Sequence, residues 1–136
     1  MKIRLLVVGL AIWFAATVLL RLAGQRILAG GDWQHVVVLF TSSLIAVALL
    51  VRLACIRARL APEEWLNGAV SLLLPTMLLD PFSSAFFSFV YPNMRPENAG
   101  VFGGWMIICC AGGLLGGVHW SGREARRAPH EPSQSS

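Results

Sequence analysis

Arg21 and Asp80 are the residues of this sequence most able to do chemistry, because each stands within an otherwise apolar stretch. With about 1.5 Å of rise per residue along helices that begin near Arg4 and Trp65, the two side chains reach a similar depth. Opposite charges at one depth of a membrane are expected to pair, and an ionisable residue there is a functional-site hypothesis. We predict an intramembrane polar cluster of five residues: Thr17, Arg21, Gln25, Asp80 and Asn93.

Two roles are open for this cluster. The Arg21–Asp80 pair can be a structural clamp between two helices, or it can be the site at which a proton, an ion or a substrate binds. Small multidrug transporters are also four-helix proteins of similar length, but they use a glutamate in the first helix as the coupling group. This chain has Thr17 and Arg21 there and no acid, so drug–proton antiport of that kind is not expected, and Asp80 could replace the glutamate only in a differently built site.

The cysteines and histidines do not predict a second reactive site. Cys109 and Cys110 are adjacent, so a helix directs their side chains about 100° apart, and they can neither bridge easily nor bind one metal ion together. His35, His119 and His130 fall in separate parts of the predicted topology. No phosphate-binding loop, nucleophile elbow or paired acidic motif is present in the sequence. We therefore expect no enzymatic activity, no metal and no cofactor.

Four apolar stretches must position these residues, and they fill most of the 136 positions. A helix needs about 20 apolar residues to cross a hydrocarbon core of about 30 Å. Hydrophobic residues make up 56% of the chain and charged residues 13%, and the charges cluster between the stretches. This pattern predicts an all-α integral membrane bundle of four transmembrane helices over residues 1–120, followed by a disordered cytoplasmic tail over 121–136. The predicted helices cover residues 3–24, 36–53, 65–80 and 100–120.

The third predicted helix is interrupted by Pro75 and Pro81, each of which removes a backbone donor. Two arrangements are compatible with this sequence. In the first, the helix breaks near Asp80-Pro81 and residues 82–91 form a short interfacial helix. In the second, a kinked helix continues to Tyr91 and tilts to fit its length. We favour the early break.

The fourth predicted helix carries glycines at four-residue spacing, Gly112 with Gly116 and Gly113 with Gly117. Strips without side chains let a neighbouring backbone approach closely. The strips can serve contacts within the bundle, which we favour, or a homo-oligomer through the fourth helix, or a groove for lipid or ligand. The lipid bilayer is the expected partner, and nucleic acid is not, because the basic residues form no stripe with interleaved aromatic residues.

The segment from Trp13 to Gln25, together with Asp80 and the Tyr91-Pro92-Asn93 turn, resembles a family of small bacterial four-helix membrane proteins that is grouped only as a domain of unknown function. The resemblance covers the four helices and excludes the tail. It implies a bacterial inner-membrane location and carries no activity.

The function expected from the sequence is that of a small multi-pass inner-membrane protein with a non-enzymatic accessory or structural role. The alternative is a small oligomeric transporter or channel that uses the Arg21/Asp80 polar site, because discontinuous helices such as the third one often mark binding sites.

The basic residues predict the orientation of the bundle. Eight of the eleven lie before the first helix, after the second or after the fourth, and three lie at the opposite helix ends. Lysine and arginine favour cytoplasmic loops. Both termini are therefore expected in the cytoplasm.

Reporter fusions test this topology. A reporter joined after Arg59 or after Ser136 should be active on the cytoplasmic side, and one joined after Arg95 should be external, because positive residues near helix ends resist translocation. An external C-terminus would contradict the four-span arrangement.

Overall fold

The structure is a computed structural model that describes residues 2–28 and 32–127. Within these ranges the chain forms helices and no strands, which confirms the all-α prediction. The helices are α1 (Ile3–Ile27), α2 (Trp33–Arg57), α3 (Trp65–Ala85), α4 (Phe87–Val90) and α5 (Ala99–Arg127). Short 3-10 turns, Pro62–Glu64 and Pro96–Asn98, precede α3 and α5. α5 continues into the segment expected as a disordered tail, and residues 128–136 lie outside the described ranges.

Three helical segments are long and apolar enough to cross a membrane: Ile3–Ile27, Trp33–Arg57 and Pro96–Arg123. α3, the fourth expected span, is not among them. Asn67, Asp80 and two prolines interrupt its apolar sequence. The outer surfaces of α1 and α2 carry large exposed apolar side chains, such as Phe14 at 65% and Val38 at 66% exposure, which suit contact with lipid.

α3 corrects the expected break near Asp80-Pro81. The helix passes through Pro75 and Pro81 and ends at Ala85, so the early break was wrong. Helical geometry is lost at Phe86, where φ is −104° and ψ is 33°, and α4 begins at the next residue. A proline removes one backbone hydrogen bond, but ending the helix in apolar surroundings would leave several backbone groups without partners. Continuation is therefore the less costly solution.

The bundle consists of two helix pairs that are joined mainly through the contact between α3 and α5, with a smaller contact between α2 and α3. α1 packs against α3, α2 packs against α5, and α3 packs against α5. α1 and α2 are neighbours in sequence, but they make little contact with each other. The pairs α1–α3 and α2–α5 are therefore connected mainly along the contact between α3 and α5.

Hydrogen bonds place three parts of the chain at one end of the bundle, here called the basic end. The backbone N–H of Lys2 donates to Ser71 Oγ over 3.1 Å, and Ser121 Oγ donates to the carbonyl of Pro62 over 2.8 Å. The start of α1, the α2–α3 connection and the last turns of α5 therefore lie together. Most of the basic residues are in these three parts of the chain.

Two buried clusters form the core, one near each end. The cluster near the basic end contains Leu5, Val51, Cys55, Trp65, Ala69 and Leu72. The cluster near the opposite end contains Leu20, Leu28, Phe87, Tyr91, Met94 and Phe102. The middle of the bundle lies between them.

The two glycine strips of α5 make close contacts within the chain. A Cβ at Gly112 would lie 2.5 Å from the backbone oxygen of Leu44 in α2, and a Cβ at Gly113 would lie 2.6 Å from Leu73 Cδ1 in α3. Gly116 and Gly117 repeat these contacts one turn later, against Ala48 and Ala69 respectively. One strip therefore faces α2 and the other faces α3. These four glycines thus serve contacts within the bundle.

Gly112→Ala should lower the unfolding temperature in detergent, because the added methyl group meets backbone atoms of α2 that cannot turn aside. Overpacking of this kind typically costs about 1–3 kcal/mol. Gly122→Ala is a matched control, since Gly122 lies in the same helix with nothing within 4 Å of an added Cβ. Unfolding temperatures are measured by circular dichroism. Equal values for the two variants would contradict close α2–α5 packing.

An ion pair joins the beginning of the chain to the 3-10 turn before α3. Lys2 Nζ lies 2.7 Å from Glu64 Oε1, and both side chains are about two-fifths exposed. The hydrogen bond that the Lys2 ammonium donates lowers the pKa of Glu64 below its ordinary value. An exposed pair of this kind contributes little to stability.

Glu64→Gln should remove a small part of the pH dependence of unfolding. Because the folded pKa of Glu64 is depressed, its contribution is present above the ordinary carboxyl value of 4.5 and is lost as pH falls through the folded value. Melting temperatures measured from neutral pH downward should show wild type losing its advantage over Glu64→Gln. Glu63→Gln, next to it and exposed, should keep the wild-type profile; a pH-independent difference for Glu64→Gln would contradict the pairing.

Candidate functional site

Asp80 is a buried acidic residue three-quarters of the way along α3, with 7% of its surface exposed. Its Oδ1 accepts a hydrogen bond of 2.9 Å from the indole N–H of Trp13 in α1. Its Oδ2 is buried and has no hydrogen-bond partner among the described residues. Buried polar atoms are almost always satisfied, because the loss of hydration is costly. The exception at Asp80 therefore calls for an explanation.

A cavity of about 220 Å³, here called the cleft, lies in the middle of the bundle between α1 and α2. It exists because these two helices do not pack together, while α3 and α5 form its floor. Its walls are almost entirely apolar. The side chains in it that carry polar, sulfur or aromatic groups are Trp13, Thr17, Thr76, Asp80, Tyr91, Trp105, Met106, Cys109 and Cys110.

A second cavity, of about 530 Å³, lies on the other side of the α3–α5 contact and is here called the groove. Only α3 and α5 line it, with residues such as Met77, Pro81 and Ile107. Asp80, Met106 and Cys110 border both the cleft and the groove. Asp80 therefore lies in a thin partition between the two.

Most polar groups around the cleft have partners. The Trp13 N–H is engaged by Asp80, and the Trp105 N–H donates to Ser43 Oγ over 2.7 Å. The Tyr91 phenol lies beside the hydroxyl groups of Thr17 and Ser83. Within the described part of the cleft, Asp80 Oδ2 is the carboxylate oxygen left to accept a hydrogen bond.

Aromatic packing closes the cleft on the side opposite the basic end. The rings of Phe87, Tyr91 and Phe102 have centroids 5.1–5.5 Å apart and are tilted by 54–57°. Offset and tilted arrangements at this spacing are favourable. At the basic end, Leu5, Leu72 and their neighbours close the bundle. The cleft is therefore bounded at both ends by the core.

The expected Arg21–Asp80 ion pair is not formed, and this corrects the depth estimate made from the sequence. Arg21 is exposed, and Asp80 bonds to Trp13 instead. Trp13 precedes Arg21 by about 12 Å along α1. The estimate placed Trp65 level with Arg4, whereas the start of α1 lies level with Ser71, because the Lys2 backbone bonds to that side chain.

The other members of the predicted polar cluster are divided between two places. Thr17 lines the cleft with Asp80. Gln25 and Asn93 instead line a separate polar pocket of about 310 Å³ at the opposite end of the bundle, with Arg95 and Asn98. Asn93 Nδ2 donates to the backbone carbonyl of Arg21 over 3.2 Å. Arg21 therefore joins this end through its backbone.

Sequence reasoning missed Trp13 as the partner of Asp80. A signal was present, since Trp13 and Thr17 are four residues apart and share the face of α1 that turns to α3. A tryptophan in the middle of an apolar span also carries an N–H that needs an acceptor. Tyr91 and Trp105 were likewise not placed at the site, because no local pattern brings them to Asp80.

The cysteines and histidines do not assemble in the described residues. No three side chains of His, Cys, Asp or Glu in these ranges lie close enough to share a metal ion. Cys109 and Cys110 are free thiols that line the cleft. His35 Nε2 lies 2.7 Å from the carbonyl of Ile27, and His119 Nε2 lies 3.5 Å from Arg123 Nη1. His130 falls outside the described residues.

Comparison with known proteins identifies the family. The model for a family of unknown function, DUF5367, matches residues 27–124, and the chain belongs to this family. The resemblance stated from the sequence is thereby confirmed. The matched range includes Asp80 and the turn at Tyr91, but it begins after Trp13. No match was found among curated proteins or among solved structures.

Proposed function

For this chain of the DUF5367 family, we propose the function of a small, non-enzymatic membrane transporter that binds its substrate at Asp80. The observation that carries the proposal is the buried, unpartnered Oδ2 of Asp80 at the wall of an apolar cleft. Ionisable residues inside membrane helices are costly and are kept at substrate, ion or proton pathways. The sequence analysis gave a transporter with an Arg21/Asp80 site as its alternative. The proposal keeps the transporter but has Trp13, instead of Arg21, as the residue that orients Asp80.

The absence of an ion pair at Asp80 argues against the ionic clamp with Arg21. Among the described residues Asp80 has the Trp13 N–H only, which occupies one carboxylate oxygen and leaves the other for a proton or a substrate. A proton can neutralise the carboxylate, and a positively charged donor group on a substrate can compensate its charge, but the two compete for the same site. Competition for one acceptor is the basis of exchange between protons and substrate.

We also propose that α3 is a fourth span and that both termini are cytoplasmic. α3 lies parallel to α1, since Lys2 contacts Ser71 near its start and Trp13 contacts Asp80 further along. The basic end gathers the parts of the chain that hold eight of the eleven lysines and arginines, which supports a cytoplasmic position for that end. A bacterial inner membrane is the proposed location.

Proton movement in proteoliposomes tests the transport function. Purified protein is reconstituted with a pH-sensitive dye inside, and lipophilic ammonium, neutral and carboxylate compounds are added in turn. At least one class should drive proton movement beyond that of protein-free liposomes, and Asp80→Asn should abolish it because a side-chain amide does not take up and release a proton near neutral pH.

Asp32→Asn is the matched control, since Asp32 is exposed at the start of α2 and its side chain makes no cap hydrogen bond. It should retain wild-type flux. Melting temperatures establish that both variants are folded. Wild-type protein that moves protons with none of the compound classes would refute the proposal.

An accessory role is the second candidate, and the broad apolar outer surfaces of α1 and α2 favour it, because they can bind another membrane protein as well as lipid. In that case flux would be absent, and a partner would copurify equally with wild type and with Asp80→Asn.

A further inference from the structure

We infer that the substrates of the cleft are small lipophilic ammonium ions, each with an aromatic or aliphatic body and a protonated amine, and that they reach Asp80 sideways from the bilayer. This inference rests on the proposed function and names the substrate class of the same site. Two observations support it: the chemistry of the side chains that line the cleft, and the opening of the cleft between α1 and α2.

The charge of the cleft favours a cation. No lysine, arginine or histidine lines its described walls, so an anionic substrate would meet Asp80 without any compensating positive group. An ammonium group brings a positive charge and N–H donors to the oxygen that lacks a partner. Bonding to Oδ2 leaves the existing bond from Trp13 to Oδ1 intact.

The aromatic lining favours the same class. The indoles of Trp13 and Trp105 and the phenol of Tyr91 border the cleft. Aromatic faces attract cations, and the attraction is greater where water is excluded. The remaining walls, from residues such as Val47 and Leu73, suit an apolar body. A polar or strongly hydrated cation would lose its hydration with no replacement.

The bilayer side is the open side of the cleft. Ile12, Leu19 and Leu50 line the cleft and are also exposed, at 37%, 57% and 39%. Both ends of the bundle are closed by the buried clusters around Leu72 and around Tyr91. A substrate that partitions into lipid can therefore enter between α1 and α2.

Asp80 is the acid that responds to pH in this cleft. The other titratable side chains that face it are Tyr91, from the segment after α4, and Cys109 and Cys110 from α5. Phenol and thiol groups are mostly uncharged near neutral pH. α1 and α2 contribute no titratable group to the described walls. Protons and ammonium ions therefore compete for Asp80 alone, and binding should weaken as pH falls.

Binding to the full-length protein in detergent tests the substrate class. The probes are 4-phenylbutylammonium, the neutral 4-phenylbutanol and the anionic 4-phenylbutyrate. Their dissociation constants are measured by calorimetry. The ammonium should bind at least about tenfold more tightly than the alcohol, because both can donate a hydrogen bond to Oδ2 but only the ammonium carries the opposite charge. The carboxylate should bind least.

Asp80→Asn should reduce ammonium binding to the level of the alcohol while leaving alcohol binding unchanged, which separates loss of charge from loss of fold. Tighter binding of the alcohol or the carboxylate by wild type would overturn the inference, although proton flux with either compound would still support transport. Ammonium binding without flux would support the inference and refute transport.

Two adjacent alanines test the route of access. Ala16 lines the cleft and Ala15 does not, and both are exposed on α1. Ala16→Phe should narrow the opening between α1 and α2 and weaken ammonium binding, whereas Ala15→Phe should bind as wild type does. Equal binding by the two variants would overturn access through this opening.

Discussion

The close approach of α5 to both α2 and α3 is the constraint on which the rest of the structure depends. Gly112 and Gly116 bring the α2 backbone against one side of α5, and Gly113 and Gly117 admit side chains of α3 on the other. With both strips occupied, α1 has α3 as its main packing surface. α1 and α2 are therefore separated across the bundle, and the separation creates the cleft.

The position of Asp80 follows from this arrangement. α3 packs against both α1 and α5, so a carboxylate on it can receive a hydrogen bond from Trp13 and still border cavities on either side. The indole orients the acid through one oxygen without neutralising it. A neutral donor of this kind leaves the second oxygen with its acceptor capacity, whereas an arginine would have used both.

The sequence predicted what depends on local pattern. The apolar stretches predicted helices, and the spacing of Gly112 with Gly116 and of Gly113 with Gly117 indicated close packing by α5. The vertical alignment of α1 against α3 was not predictable in this way, because it depends on tertiary contacts such as that between the Lys2 backbone and Ser71. Because this alignment was estimated wrongly, the sequence analysis named Arg21 as the partner of Asp80, whereas the structure has Trp13. The course of α3 through Pro81 depended likewise on its apolar surroundings, which outweigh the local preference of proline for a break.

The partition formed by Asp80, Met106 and Cys110 has a mechanical consequence. The α1–α3 pair and the α2–α5 pair meet mainly along the α3–α5 contact, with the cleft on one side of it and the groove on the other. If one pair rocks against the other about this contact, the opening on one side widens while that on the other side narrows. Asp80 stands at the axis of such a motion, where the displacement is smallest. Its carboxylate can thus be exposed to the two sides in turn while its own position hardly changes.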